Sequence, residues 1–283
     1  MSALNTGDHS REAAGLEYVY PVISRRSGGL SIGINLNTNN ACNWQCIYCQ
    51  VPNLKRGGPD PIKLLQLKHE LEELLKACEN GSLARRFGLT PSEALIRDIA
   101  ISGNGEPTSA RELSEVIDIL NQAAQDFGLL GKIKFVLITN GSLMHLNHTQ
   151  TALSSWGKMG GEVWIKLDSA TLMGCRKING IQRQPQSALR NIRTCAGLSK
   201  TWIQTCLFLK DGIPPLLEEQ KAYIDFIEQL ISDSTPLAGV LLYGLARPSL
   251  QPEGQRLSPP SPELLETLAS QIRKLGLSTQ VHL

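Results

Sequence analysis

Short apolar runs alternate along this chain with longer stretches in which apolar residues recur every three or four positions. The runs occupy residues 30–36, 98–102, 134–139, 163–168, 202–209 and 239–245. Each is bounded by polar or Gly-rich residues, which predicts six buried strands. The stretches between them carry helix signals. Asp60-Pro61 offers an N-cap and a first-turn proline. Leu64, Leu65, Leu67, Leu71, Leu74 and Leu75 then form one apolar stripe, and Gly81 can close the helix. Residues 111–127, 187–198 and 216–231 have the same spacing, and Ser261-Pro262-Glu263 opens a last helix that ends near Gly276. These stripes are core faces and carry no functional weight.

Strand and helix in alternation predict an α/β fold with a parallel sheet and right-handed crossovers. Six units make either an open doubly wound sheet or an incomplete β/α barrel. In both, chemistry gathers at the C-terminal ends of the strands, and there the unusual residues of this chain fall. Asn37 to Cys49 follow the first run, Gly103-Asn104-Gly105-Glu106-Pro107 the second, Thr139-Asn140-Gly141-Ser142 the third and Asp168-Ser169 the fourth. Residues 1–29 read as an irregular leader and 30–250 as the core. Residues 251–283 read as a Pro-rich loop and a C-terminal helix packed on that core.

Composition narrows the class. Hydrophobic residues are 41% and charged residues 19%, a balance that suits a folded core. The net charge of +2 argues against a broad nucleic-acid-binding face, though it leaves room for a local basic groove. No apolar run spans a membrane and the first fifteen residues lack the apolar segment of a secretory signal, so the expected location is the cytoplasm. Seven cysteines are what composition leaves unexplained. An odd number without an export signal argues against a disulfide scaffold. Cys78, Cys175, Cys195 and Cys206 are isolated beside apolar residues and read as small buried hydrophobes.

The other three lie together as Cys42-Asn-Trp-Gln-Cys46-Ile-Tyr-Cys49. A zinc site would pair them with a second Cys or His pair, which is missing. A thiol–disulfide site would use Cys46 and Cys49 and would not need Cys42. A [4Fe–4S] cluster usually takes four thiolates. Three would leave one iron open for a ligand.

This spacing, with an aromatic residue before the last cysteine, resembles the hallmark of the radical S-adenosylmethionine (SAM) superfamily. The resemblance implies a partial (β/α)6 TIM-like barrel with one [4Fe–4S] cluster held by Cys42, Cys46 and Cys49, and SAM on the open iron. Tyr48 matches the position that packs near adenine. Gly103, Gly105 and Glu106 match a Gly-Gly-Glu-Pro element whose glycines and carboxylate hold the SAM amino group; glycine suits such a close backbone approach. Asn140 and Asp168 match strand endings that reach the SAM region and its ribose. The implied reaction is reductive cleavage of SAM to a 5′-deoxyadenosyl radical that abstracts hydrogen from a substrate. A flavodoxin or ferredoxin is implied as reductant.

Within that superfamily the run Gly-x-Gly-Glu-Pro-Thr, then Ile-Thr-Asn-Gly-Ser-Leu and Leu-Asp-Ser-Ala, is most similar to the group of wyosine-forming tRNA enzymes. A tRNA base is therefore one implied substrate. A basic path beside the cluster would draw on Arg25-Arg26, Lys55-Arg56, Arg176-Lys177, Arg183 and Arg247. Two other readings stand beside it: an activase that makes a glycyl radical in a partner protein, and a non-catalytic Fe–S binding module. Trp44, inside the triplet, is expected to shield the cluster from water.

Overall fold

The computed structural model describes Leu4, residues 14–24 and residues 28–282. Its centre is an eight-stranded sheet in which strand order follows chain order. The strands are β1 (Val19–Ser24), β2 (Gly29–Ile34), β3 (Ile96–Ile101), β4 (Lys134–Thr139), β5 (Glu162–Lys166), β6 (Lys200–Cys206), β7 (Leu237–Tyr243) and β8 (Thr279–His282). Only β1, against β2, is antiparallel; every other neighbouring pair is parallel. The connecting helices are α1 (Leu64–Glu79), the short α2 (Ser82–Phe87), α3 (Leu113–Asp126), α4 (Asn147–Lys158), α5 (Pro185–Leu198), α6 (Leu217–Ser232) and α7 (Pro262–Lys274).

Alternation along each strand divides the sheet into two faces. Ile32, Ile34, Ile99, Ile101, Leu137 and Ile203 lie on one face and pack with the helix stripes in a single large core. The other face carries Ser31, Gly33, Ala100, Trp164, Lys166, Trp202 and Gln204. This face is concave. Lys166 on β5 and Tyr243 on β7 sit two strands apart, yet Lys166 Nζ donates to Tyr243 Oη at 3.0 Å. The six expected strands all form, and the fold is the partial α/β barrel that the motifs imply.

Three local expectations need correction. Residues 1–29 are not irregular throughout, because residues 19–24 form β1. Pro21 hides that strand in the sequence; it is tolerated because β1 is an edge strand. The segment after residue 250 is more than a loop and a helix, since β8 extends the same sheet beside β7. Its sequence, Thr-Gln-Val-His, has too few apolar residues to signal a strand. Asp60 does not cap α1, which begins at Leu64 with no side-chain cap. The Lys63 N–H instead donates to the Tyr18 hydroxyl at 3.2 Å. The capping reading does hold at Ser261, whose hydroxyl accepts from the Leu264 N–H at 3.2 Å. Of the leucine stripe, Leu67, Leu71, Leu74 and Leu75 are buried, while Leu65 is 86% exposed.

Glu70 fixes β1 to the barrel. This carboxylate is buried on α1 and accepts from the backbone N–H groups of Glu17, Tyr18 and Val19 at 3.1, 2.7 and 3.2 Å. Replacing it leaves several donors unsatisfied. Glu70→Ala should therefore lower the urea-unfolding free energy by about 2–4 kcal/mol, with Glu70→Gln in between. A loss within about 0.5 kcal/mol of wild type would show that the carboxylate does not anchor β1.

Candidate functional site

The loop after β2 carries the cysteines and is held by its own asparagines. Asn35 and Asn37 are buried. Asn35 Oδ1 accepts from the Asn37 and Asn104 N–H groups at 3.1 and 3.0 Å, and Asn37 Nδ2 donates to the Ala41 carbonyl at 2.9 Å. A two-residue parallel bridge then pairs Ala41–Cys42 with Lys55–Arg56. The Arg56 guanidinium donates to the Asn43 and Gly180 carbonyls, both at 2.9 Å, and to Gln45 Oε1 at 3.1 Å. Gln45 and Ile47 donate backbone N–H groups to the Asn179 and Ile178 carbonyls. On the far side Ser249 Oγ donates to the Ile47 and Cys49 carbonyls at 2.7 and 3.1 Å, and Gln251 Nε2 to Cys49 and Val51. The loop is thus clamped between the segments that follow β5 and β7.

The thiols within it are half-buried. Cys42 Sγ accepts from the Trp44 N–H at 3.4 Å and Cys46 Sγ from Asn179 Nδ2 at 3.3 Å. Burial pushes the Cys42 thiol up to about 11; the Trp44 N–H works the other way, and the charge of Glu106 adds to the rise. Burial, with the charge of Asp168, pushes Cys46 up to about 12. Among the described residues no three His, Cys, Asp or Glu side chains meet as a ready-made metal-binding group. The three sulfurs share one loop.

The glycine-rich ending of β3 packs directly on this loop. A Cβ on Gly103 would lie 2.2 Å from Asn35 Oδ1. One on Gly105 would lie 2.1 Å from the Ala41 carbonyl oxygen and 2.5 Å from Asn37 Cγ. The close approach that requires glycine is therefore to the cysteine loop, and not to open space kept for a ligand. Glu106 is 1% exposed. Its Oε1 accepts from the Thr108 N–H at 3.0 Å and from the Thr108 and Thr139 hydroxyls at 2.6 Å each. Its Oε2 accepts from the Asn140 N–H at 2.6 Å. Burial raises its pKa, against these four bonds. The side chain of Asn140 donates to Asn43 Oδ1 at 2.7 Å, so β3, β4 and the cysteine loop meet in one network.

A second network centres on Asp168. Its Oδ2 accepts from the Tyr48 hydroxyl at 2.5 Å and from Asn179 Nδ2 at 2.8 Å; its Oδ1 accepts from the Cys206 N–H at 3.1 Å. Lys166 Nζ donates to the Tyr48 hydroxyl at 3.0 Å, as it does to Tyr243. Burial works against the Lys166 charge, but Tyr243, Asp168 and Cys46 outweigh it and its pKa is raised. Tyr48 is held well above the usual phenol range, first by burial and then by Asp168. Its ring lies 5.7 Å from Phe208, in a small apolar cluster with Ile47 and Cys206.

All nine residues singled out in the sequence lie at these strand ends or in this loop. Sequence reasoning missed the clamp residues Ser249 and Gln251 and the role of Asn179. It also missed Cys206, read as packing alone, whose N–H holds Asp168. A signal did exist for Lys166, a charged residue at a buried-strand position. Of the basic residues, Arg25-Arg26 lie outside the described residues, Arg56 donates to the Asn43 and Gly180 carbonyls and to Gln45 Oε1, and Arg183 is 9% exposed. Lys55, Arg56, Arg176 and Lys177 are exposed. Of the isolated cysteines, Cys175, Cys195 and Cys206 are buried as expected, while Cys78 is half-buried. No helix among the described residues is long and apolar enough to cross a membrane.

No protein-family model matches the chain. Two Helicobacter pylori proteins named UPF0026 are similar to it. One, from strain J99, is 33% identical over 212 residues, which is 74% of this chain and 61% of that protein. The other, from strain 26695, is 34% identical over 137 residues, 48% of this chain and 38% of that protein. The chain spans less than two thirds of either relative. Among solved structures, TYW1 with a lysine-pyruvate adduct bound superposes with a TM-score of 0.55 at 16% identity, over 86% of this chain and 73% of that one. An archaeal TYW1 gives 0.50, also at 16%, over 86% and 71%. The fold is thus of the type found in TYW1.

The raised thiols give a measurable pH response in the metal-free protein. Alkylation of Cys42 and Cys46 by iodoacetamide, followed peptide by peptide in a mass spectrometer, should keep accelerating up to pH values of about 11 and about 12. A plateau near pH 8.5, the range of an ordinary thiol, would contradict their burial. Since both folded values lie above the unfolded one, their contribution to stability is complete below about pH 8.5 and is lost as pH rises through the folded values.

Proposed function

We propose that this protein is a radical SAM enzyme whose cysteine triplet holds one [4Fe–4S] cluster. The observation that carries the reading is the cysteine loop itself. Three soft sulfur donors sit at the C-terminal mouth of a TYW1-like barrel, with N–H donors already aimed at two of them. Hydrogen bonds from backbone and amide groups stabilise thiolates and tune clusters. The raised thiols of the metal-free protein fit the same reading, because binding a metal is what would deprotonate them.

When bound, such a cluster supplies an electron to cleave SAM, and the resulting 5′-deoxyadenosyl radical abstracts hydrogen from a substrate. The chain's part is binding, orientation and exclusion of water. Cys42, Cys46 and Cys49 are the proposed ligands. Asn104 Oδ1 is buried with no hydrogen-bond partner, on the Gly-Asn-Gly-Glu turn, and is a spare acceptor suited to an amino group. Gly103, Gly105 and Glu106 then act by holding that turn against the cysteine loop. Asn140, Asp168 and Tyr48 are the proposed nucleoside-side residues. Trp44 is 3% exposed and, with Ile47, Tyr48, Cys206 and Phe208, keeps water from the loop. Lys166 lowers the cost of negative charge at Cys42 and Cys46. The proposed reductant is a flavodoxin or ferredoxin, and a tRNA base is the proposed substrate.

Anaerobic reconstitution should load about four iron and four sulfide per chain. A variant with Cys42, Cys46 and Cys49 all changed to Ala should load none, and cluster assembly in that variant would sink the ligand assignment. With dithionite and SAM the loaded protein should release 5′-deoxyadenosine. Failure to do so would favour a binding module. Comparing modified nucleosides and protein glycyl radicals in cells with and without the gene separates the two substrate classes. Loss of a tRNA nucleoside supports the reading, and loss of a glycyl radical replaces it with an activase.

A further inference from the structure

Arg183 is a buried cation that forms no ion pair among the described residues. It follows the turn at Gly180, is 9% exposed, and stacks over the Trp44 ring at 4.9 Å from the centroid. Its Nε and Nη2 atoms are both buried and neither has a hydrogen-bond partner. These two nitrogens form one edge of the guanidinium, the side-on fork that receives two oxygens of a carboxylate or phosphate in parallel. A buried charge is costly unless it is paired.

The carboxylates whose charges act on the neighbouring Cys175 direct their oxygens to other donors. Asp168 is taken by Tyr48, Asn179 and the Cys206 N–H. Glu219 accepts from Ser169 and Thr171 at 2.8 and 2.5 Å. The thiol of Cys175 does lie beside Arg183. Burial nevertheless keeps its pKa raised, so it stays neutral and does not balance the charge. Arg183 makes none of the ion pairs found among the described residues.

We propose that the free edge of Arg183 is a binding site for an oxyanion, a carboxylate or a phosphate, carried by a ligand that sits against the cysteine loop at Trp44. Two sources share this chemistry: the carboxylate of SAM, and a phosphate of a nucleotide or RNA substrate. The first rests on the function proposed above; the second does not, because phosphate binding needs no iron.

Two measurements on wild type, Arg183→Gln and Arg183→Lys test the site. One is equilibrium dialysis of SAM, and of SAM lacking its carboxylate, against cluster-loaded protein. The other is the thermal shift that inorganic phosphate gives the metal-free protein. If the site takes the SAM carboxylate, Arg183→Gln weakens SAM about tenfold or more and leaves the decarboxylated analogue unchanged. If it takes phosphate, the shift disappears in Arg183→Gln while SAM binding is unaltered. In either case Lys restores only part of the binding, since a point charge lacks the fork. Wild-type behaviour of both variants toward SAM and phosphate overturns the proposal, as does a wild type that responds to neither. Should Arg183→Gln fail to fold, the Lys variant carries the same comparison. A chain that takes up no cluster ends the function proposed above, yet leaves the phosphate measurement intact.

Discussion

Where parallel strands end, the backbone ladder stops and the loops that follow must find other partners. In this barrel two carboxylates provide them. Glu106 takes four donors from the ends of β3 and β4. Asp168 takes one each from the cysteine loop, the segment after β5 and the end of β6. Between them they join five separate pieces of chain around one mouth. Removing either would leave buried donors unsatisfied at the very edge where the loops must be held still. The rest of the site hangs from these two groups: Tyr48 reaches Lys166 because Asp168 fixes its hydroxyl, and Asn140 reaches Asn43 because Glu106 fixes its N–H.

Most of the frame was legible in the sequence. Six runs of strand length gave six strands, and the helix stripes gave the faces that cover them. The motif residues fell at strand ends because a parallel α/β sheet puts all its crossover loops on two sides, one of which is the functional mouth. Local chemistry decided what was not legible. β1 contains a proline and β8 has little apolar character, and both are strands only because a neighbour offers a free edge. The roles of Ser249, Gln251 and Asn179 depend on contacts between distant parts of the chain, which no spacing rule reveals. Gly103 and Gly105 were expected to let SAM approach the backbone closely; what lies against them in the structure is Asn35, Asn37 and the Ala41 carbonyl.

Charge shows the difference between a total and a distribution. The net charge of +2 speaks against a broad polyanion-binding face. It gives no hint that two cations, Lys166 and Arg183, lie beside the cysteine loop. Lys166 donates to the Tyr48 and Tyr243 hydroxyls and is favoured by the charge of Asp168, so its charge serves the protein itself. Arg183 makes no ion pair among the described residues. Sequence alone treats both as ordinary basic residues; burial and the engagement of nearby carboxylates separate them.

The order of the sheet has a consequence for synthesis. Each strand lies beside the strands made just before and just after it, so the barrel can grow in the direction in which the ribosome delivers it. The cysteine loop is the exception. It emerges early, but its bonds to Ser249 and Gln251 span about two hundred positions, up to 202. A nascent chain therefore exposes Cys42, Cys46 and Cys49 in an unfinished loop until nearly all of the barrel has been made, and the shape in which they can be held is completed late.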